Sequence, residues 1–458
     1  MFTRSQRWLL LAAFALLVAF RLPQAWVHGR FLDEEATVFL AYAWHHSLVD
    51  SMLRPFAGYL NLGATVPTAL LAMLIRHAGL PLELAPYLTM TAALLAQLVP
   101  AALILTGRAA WLDARPAVVA ALGIAVLAPA TEEVFLNVLH IQFHLALACA
   151  AILALDVPRF RRAQIAYGTV LMLAPLCGPA AIMLVPLFAL RAAIDRDPGR
   201  WRQCVPFVFG AAIQLLLFYG AAPVRAQGVS PVLVASAFTV RLIVLPLFNF
   251  GNADTLANAV EAQGGTLLWI TAAIGVAVFG LMLAAAARVR DAGLWLALAG
   301  LGVAAATFGH GMVLPDPIRV TSPWAGERYQ YLPLVLIGWA LIALAMRGGR
   351  TRLIFAAPCL LMLMAGAARY PAPSPHLASG PSWPTEVAAW RRDHRHPLAV
   401  WPKPWTADLS GQTRPCSPLT GHLARSTDPR YCESGWVGSF FRNSEQVRKS
   451  GEGGEILH

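Results

Sequence analysis

The sequence predicts an all-α polytopic membrane protein, with about eleven spanning helices, interfacial helices beside them, and a small extramembrane module at its C-terminal end. Two observations carry that prediction. Of 458 residues, 58% are hydrophobic and only 13% are charged, and the mean hydropathy is +0.59, which is too apolar for a soluble chain of this length. The apolar residues also fall into runs of spanning length separated by short loops, and alternate loops are rich in arginine. The formal net charge of +11 lies mostly in those loops, so it reads as membrane topology rather than affinity for nucleic acid.

Along the chain, the first apolar run, 8 to 27, follows Arg4 and Arg7 and has no small-residue cleavage site after it, so it reads as an uncleaved signal anchor. Further spans are expected at 86 to 106, 116 to 131, 138 to 155, 164 to 177, 179 to 192, 203 to 222, 264 to 287, 292 to 311, 329 to 346 and 353 to 368. With the N-terminus inside, Arg108, Arg115, Arg159, Arg161, Arg162, Arg191, Arg196, Arg200, Arg202, Arg288, Arg290, Arg347, Arg350 and Arg352 all fall in inner loops. That is the expected excess of cytoplasmic positive charge. The outer side then receives Asp33, Glu34, Glu35, Glu132, Glu133, Asp254, Asp316 and Glu327. The expected location is a bacterial inner membrane, crossed many times, with a cytoplasmic N-terminus and a periplasmic C-terminus. Two apolar segments, 60 to 78 and 229 to 250, break the alternation, and the second carries Arg241 in its middle. Both are read as interfacial or re-entrant helices on the outer side, as is the aromatic stretch 36 to 50.

The transmembrane domain is expected to occupy 1 to 368 and the outer module 369 to 458. From 369 the composition turns to Pro, Ser, Arg and Trp, with a stiff proline-rich linker, a helical turn or two at 386 to 392 and a strand at 398 to 401. Cys416 and Cys432 lie in this module, and their spacing suits a loop-closing disulfide better than a zinc site. The other four cysteines lie in apolar runs, where a thiol packs as a small hydrophobe.

Three groups of residues are candidates for chemistry. The first is Asp33, Glu34 and Glu35, three acids directly after the first span, flanked by Arg30. They either cap an interfacial helix or supply a base, whose pKa adjacent charge would raise; Asp33 is the first choice and Glu34 the second. The second group is Glu133, Asn137, His140 and His144, whose spacing predicts one polar stripe on an otherwise apolar helix facing a wet cavity. A zinc reading for the two histidines lacks a third ligand. The third is Arg328 with Tyr329, either an interfacial anchor or a forked phosphate contact. There is no Gly-rich phosphate loop, nucleophile elbow or thiol redox pair.

The run Phe31, Leu32, Asp33, Glu34, Glu35, followed by Gly58, Tyr59 and Leu60 where the loop returns to the membrane, resembles the GT-C class of integral-membrane glycosyltransferases. That class includes the protein O-mannosyltransferases and the aminoarabinose transferase of lipid A. The resemblance covers organisation over roughly the first 370 residues. It implies a polyprenyl-phosphate sugar donor, a glycan, lipid or protein acceptor, surrounding membrane lipid, and inversion at the anomeric carbon. It also implies Asp33 or Glu34 as the base and Arg328 at the departing phosphate, while Arg30, Glu35, Glu133, Asn137, His140, His144 and Tyr329 line the pocket; no metal or other cofactor is expected. A transporter or flippase for a lipid-linked sugar is the alternative, since it also needs wet polar stripes.

Overall fold

The computed structural model describes residues 2–220, 228–312, 314, 316–349 and 351–410. Helices make up 76% of the structure, and the described strands, Leu398–Ala399 and Thr406–Ala407, are two residues each. The fold is all-α, as the composition predicts. Seven described helices are long and apolar enough to cross a membrane: Leu82–Thr106, Pro198–Tyr219, Pro231–Phe248, Gly265–Ala287, Ala292–Gly311, Arg328–Met346 and Arg352–Arg369. An eighth crossing results if Arg161–Leu176 and Pro179–Asp195, bent by 119° at Gly178, count as one. Three shorter apolar helices, Leu62–Ala78, Arg115–Leu127 and Ile141–Ala154, pack among them.

Several expected spans are shorter than their apolar runs, and each has a local cause. The first helix runs Arg4–Phe20 and restarts as Pro23–His28. Proline cannot donate to the preceding turn, and Arg21 turns inward at the break. Its guanidinium donates to the carbonyls of Val126 at 2.6 Å and Ala128 at 3.0 Å, supplying donors that the C-terminal end of Arg115–Leu127 lacks. Close packing then depends on glycine. A Cβ on Gly366 would overlap the Leu127 carbonyl oxygen, so Arg352–Arg369 meets the end of Arg115–Leu127 backbone to backbone.

The segment expected at 229 to 250 runs Pro231–Ala237, Phe238–Val244 and Leu245–Phe248, with a π turn in the middle. Arg241 is fully buried in protein rather than facing lipid, and donates to the Ser322 and Ala325 carbonyls. Although this helix is long enough to cross, one of its ends meets the last turn of Ala292–Gly311 and the other meets the segment that follows it. Val229 N–H donates to the Gly309 carbonyl at 2.9 Å, and Phe250 packs on Trp324, ring centroids 4.4 Å apart.

Two layers of charge lie at opposite ends of the bundle. Ile141–Ala154 begins beside Glu133, and at its far end Arg200 donates to the Leu155 carbonyl at 2.7 Å. Arg328–Met346 likewise begins at Glu133, and beyond its far end Arg347 pairs with Asp291. Arg200 and Arg347 thus lie at the ends of these two helices away from Glu133.

The segment after 369 does not hang free. A helix, Trp383–Arg392, and the short hairpin share a hydrophobic cluster with the acidic loop and its neighbours: Phe31, Leu40, Leu71, Trp383, Val387 and Leu398. Trp383 donates its indole N–H to the Leu82 carbonyl at 2.9 Å and meets Phe31 edge-on at 4.8 Å. Strand Leu398–Ala399 pairs antiparallel with Thr406–Ala407, close to the strand expected at 398 to 401.

Candidate active site

Four distant pieces of the chain converge on one small cleft, lined by Asp33, Glu133, Trp324, Gly326, Glu327, His376, Leu377 and Pro402. Asp33 comes from the loop after the first helix. Glu133 comes from the turn before Ile141–Ala154, Trp324 to Glu327 precede Arg328–Met346, and the rest follow the last long helix.

Asp33 has φ of +43°, a left-handed conformation that aspartate tolerates better than most residues. Its N–H donates to the Trp401 carbonyl at 2.7 Å. The carboxyl is 7% exposed, and its Oδ1 has no hydrogen-bond partner among the described residues. Burial, then the charges of Glu34 and Glu133, push its pKa well up, against the pull of Arg328 and Arg30. A carboxyl so placed binds a proton more tightly than an ordinary aspartate. Glu34 is half-buried beside it.

Glu35 is used differently. It is fully buried, with Oε2 accepting from the Leu32 amide at 3.0 Å and Oε1 from the Val138 amide at 3.3 Å. It ties the acidic loop to the 135 to 140 loop and does not line the cleft. Burial raises its pKa to about 7, moderated by those amides and by Thr89 and Arg30. Arg30 is also fully buried, donating to the carbonyls of Phe135 at 2.7 Å and Leu136 at 3.3 Å, and burial lowers its pKa to about 10. The two residues clamp one loop to the other.

The polar stripe expected on one helix face is a correction. Glu132–Val134 is a single 3-10 turn, the chain from Phe135 to His140 is irregular, and the helix begins only at Ile141. Asn137 explains the difference, because its side chain bonds the backbone locally and so competes with the helix. Its Nδ2 donates to the carbonyls of Glu133 at 2.8 Å and Phe135 at 3.1 Å, and its Oδ1 accepts from the His140 amide at 3.1 Å. His140 Nδ1 donates to the Glu133 carbonyl at 2.9 Å, and burial lowers its pKa to about 4. His144 is enclosed between the Val134 carbonyl, at 3.1 Å, and the Tyr331 hydroxyl, at 3.2 Å. Asn137, His140 and His144 therefore shape the turn that presents Glu133; they do not line the cleft.

Glu133 accepts from the Arg328 backbone amide at 3.0 Å and from its guanidinium. Burial alone would raise the Glu133 carboxyl, but Arg328 outweighs it and holds the pKa at about 2. The Arg328 side chain stays 28% exposed and lies over the Tyr329 ring, 4.8 Å from its centre. The guanidinium is thus engaged by Glu133 in a side chain that is about a quarter exposed, and Arg328 stands behind Glu133 rather than among the residues that line the cleft. Tyr329 meets Phe143 edge-on at 6.2 Å, so it braces the arginine from below.

Sequence reasoning missed most of the cleft's other wall. Glu327 is buried, accepts from the Ser374 hydroxyl at 2.5 Å, and has its Oε2 unpartnered among the described residues. Burial and then Glu132 raise its pKa well above the ordinary value. His376, Leu377 and Pro402 come from the proline-rich segment read as a linker, where the tryptophan-rich composition was the available signal of packing. Among the described residues, no group of three or more His, Cys, Asp or Glu is arranged to hold a metal ion. The disulfide expected between Cys416 and Cys432 lies outside the described residues. Comparison with known proteins gave no matching family model, no matching curated protein and no matching solved structure.

Proposed function

We propose that the protein is an inverting, GT-C-like membrane glycosyltransferase of the bacterial cell envelope, moving a sugar from a polyprenyl-phosphate donor to a glycan, lipid or protein acceptor on the periplasmic side. In this reading the chain crosses the inner membrane about eleven times, with Arg4–Phe20, each member of the bent pair, Arg115–Leu127 and Ile141–Ala154 counted as crossings and 60 to 78 kept on the outer side. Segment 229 to 250 stays on the outer side, in keeping with both its ends meeting residues 309 to 324. The observation that carries the reading is the buried Asp33 carboxyl, one oxygen unpartnered, near a part-exposed arginine that Glu133 already engages.

Asp33 accepts the proton of the acceptor hydroxyl, with Glu34 the second choice for that role. The hydroxyl oxygen bonds to the anomeric carbon from the face opposite the phosphate. The bond from that carbon to the phosphate oxygen breaks, and its electron pair leaves with the polyprenyl phosphate. Arg328 neutralises the leaving phosphate in a partly dry site, where a fixed charge acts more strongly than in water. Glu133 holds that arginine in place before substrate arrives, so positioning and electrostatics together lower the barrier.

The test is transfer of radiolabel from a pool of polyprenyl-phosphate sugars into the lipid and glycan fractions of membranes, for wild type and for an Asp33→Asn, Glu34→Gln double variant. Transfer that depends on the carboxylates supports the enzyme. Undiminished transfer by the double variant overturns the mechanism. No transfer by wild type, with lipid-linked sugar retained on one leaflet in cells lacking the protein, favours the flippase.

A further inference from the structure

The left-handed region remains less favourable than the right-handed ones even for aspartate, so the acidic loop benefits from an external hold. Beside the Thr37 hydroxyl, which donates to the Asp33 carbonyl at 3.1 Å, part of that hold comes from a segment about 370 residues downstream. The Trp401 carbonyl accepts from the Asp33 amide at 2.7 Å, the Trp401 amide donates to the Phe31 carbonyl at 3.1 Å, and Leu32 forms a parallel bridge with Trp401. Trp401 is itself fixed. Its ring is 1% exposed, its indole N–H donates to the Pro381 carbonyl at 2.8 Å, and a Cβ on Gly380 would lie 2.5 Å from the ring. The next residue, Pro402, forms cleft wall together with Asp33.

We propose that the Trp401–Pro402 edge of the C-terminal segment is the positioning element for the base: it fixes the Asp33 backbone in its left-handed turn and closes the wall that keeps the carboxyl out of bulk water. This rests on Asp33 being the proton acceptor. The charged groups acting on Asp33 are Glu34 on its own loop, Arg30 just before it, Glu133 from the adjacent turn and Arg328 at the head of its helix. Glu327 and His376 line the same cleft. Trp401 adds no charge to this set and acts only through the backbone and by excluding water, so loosening it should bring the carboxyl toward ordinary aspartate behaviour.

Dicyclohexylcarbodiimide labels protonated carboxyls, and peptide mass spectrometry reads the label at position 33 in the full-length protein in detergent, alongside the transfer assay. Trp401→Ala is expected to lower the pH midpoint of labelling by about one unit, a tenfold loss of protonated carboxyl at fixed pH. It should also lower kcat by about tenfold or more while donor KM changes by less than about threefold. Both variants keep the backbone carbonyl and amide that meet the acidic loop; Trp401→Phe also keeps an aromatic ring in the site, losing the indole N–H and part of the ring area, so it should restore most of both. Should Trp401→Ala fail to fold, Gly380→Ala crowds the same ring in a chain that keeps Trp401 and should move the midpoint the same way. A wild-type midpoint and wild-type kcat in either folded variant overturns the proposal. Failure of the base role shows separately, as full transfer by Asp33→Asn, whatever the midpoint does.

Discussion

Asp33 and Glu35 stand two positions apart in one acidic run, yet their oxygens meet opposite surroundings. Glu35 receives two backbone amides and joins two loops, whereas Asp33 keeps an unpartnered oxygen at a cleft. Substitution should separate the two roles. Asp33→Asn keeps the shape and removes the proton acceptor, so transfer should fall roughly 100-fold or more with little change in thermal unfolding. Glu35→Ala leaves the Leu32 and Val138 amides without their acceptor, and unfolding should occur about 1–3 kcal/mol sooner in denaturant titration. Arg328→Lys keeps a charge but loses the fork that serves Glu133 and, in the proposed reaction, a phosphate. Turnover should drop by tenfold or more, roughly 1.4 kcal/mol of barrier, and an unchanged rate would reduce Arg328 to an anchor. The acidic run and Arg328 were legible in the sequence because charge beside apolar spans is conspicuous. Which acid faces the cleft was not, because that depends on backbone amides brought from about 100 residues away.

At the scale of elements, the runs expected at 86 to 106, 203 to 222, 264 to 287, 292 to 311, 329 to 346 and 353 to 368 match helices to within a few residues, since length and apolarity suffice to mark them. The misses lie where one side chain redirects the backbone. Asn137 breaks the expected stripe helix, and Pro23 and Arg21 divide the first span. A hydrophobic pattern records none of these, because each depends on a partner carbonyl elsewhere in the fold. Contact between helices is equally specific at Gly366, where Arg352–Arg369 touches the Leu127 carbonyl. Gly366→Ala should therefore force the two helices apart and lower stability by about 1–3 kcal/mol, seen as a lower melting temperature in detergent while Gly280→Ala, whose added methyl meets nothing, leaves it unchanged.

For the molecule as a whole, buried titrating groups set opposing dependences on pH. Glu35 has its folded pKa raised to about 7, so its contribution is complete below the unfolded carboxyl range and is lost as pH rises through 7. Asp33 and Glu327, also raised by burial, act in the same direction. His140, lowered to about 4, contributes fully above the unfolded histidine range and loses that contribution as pH falls toward 4. Melting temperature should thus fall as pH rises from the ordinary carboxyl range to about 7, and Glu35→Gln should flatten that fall. A wild-type melting curve that keeps rising up to alkaline pH would contradict that assignment. The bond from Asp33 to Trp401 also bears on biosynthesis. It joins residues about 370 positions apart, so at about 5–20 residues per second a nascent chain carries its acidic loop for roughly 20 to 70 s before the partner strand exists. One helix inserted the wrong way round would leave the two ends on opposite leaflets, and the cleft would never assemble. The environment of Asp33 is in this sense a check on correct insertion of everything between.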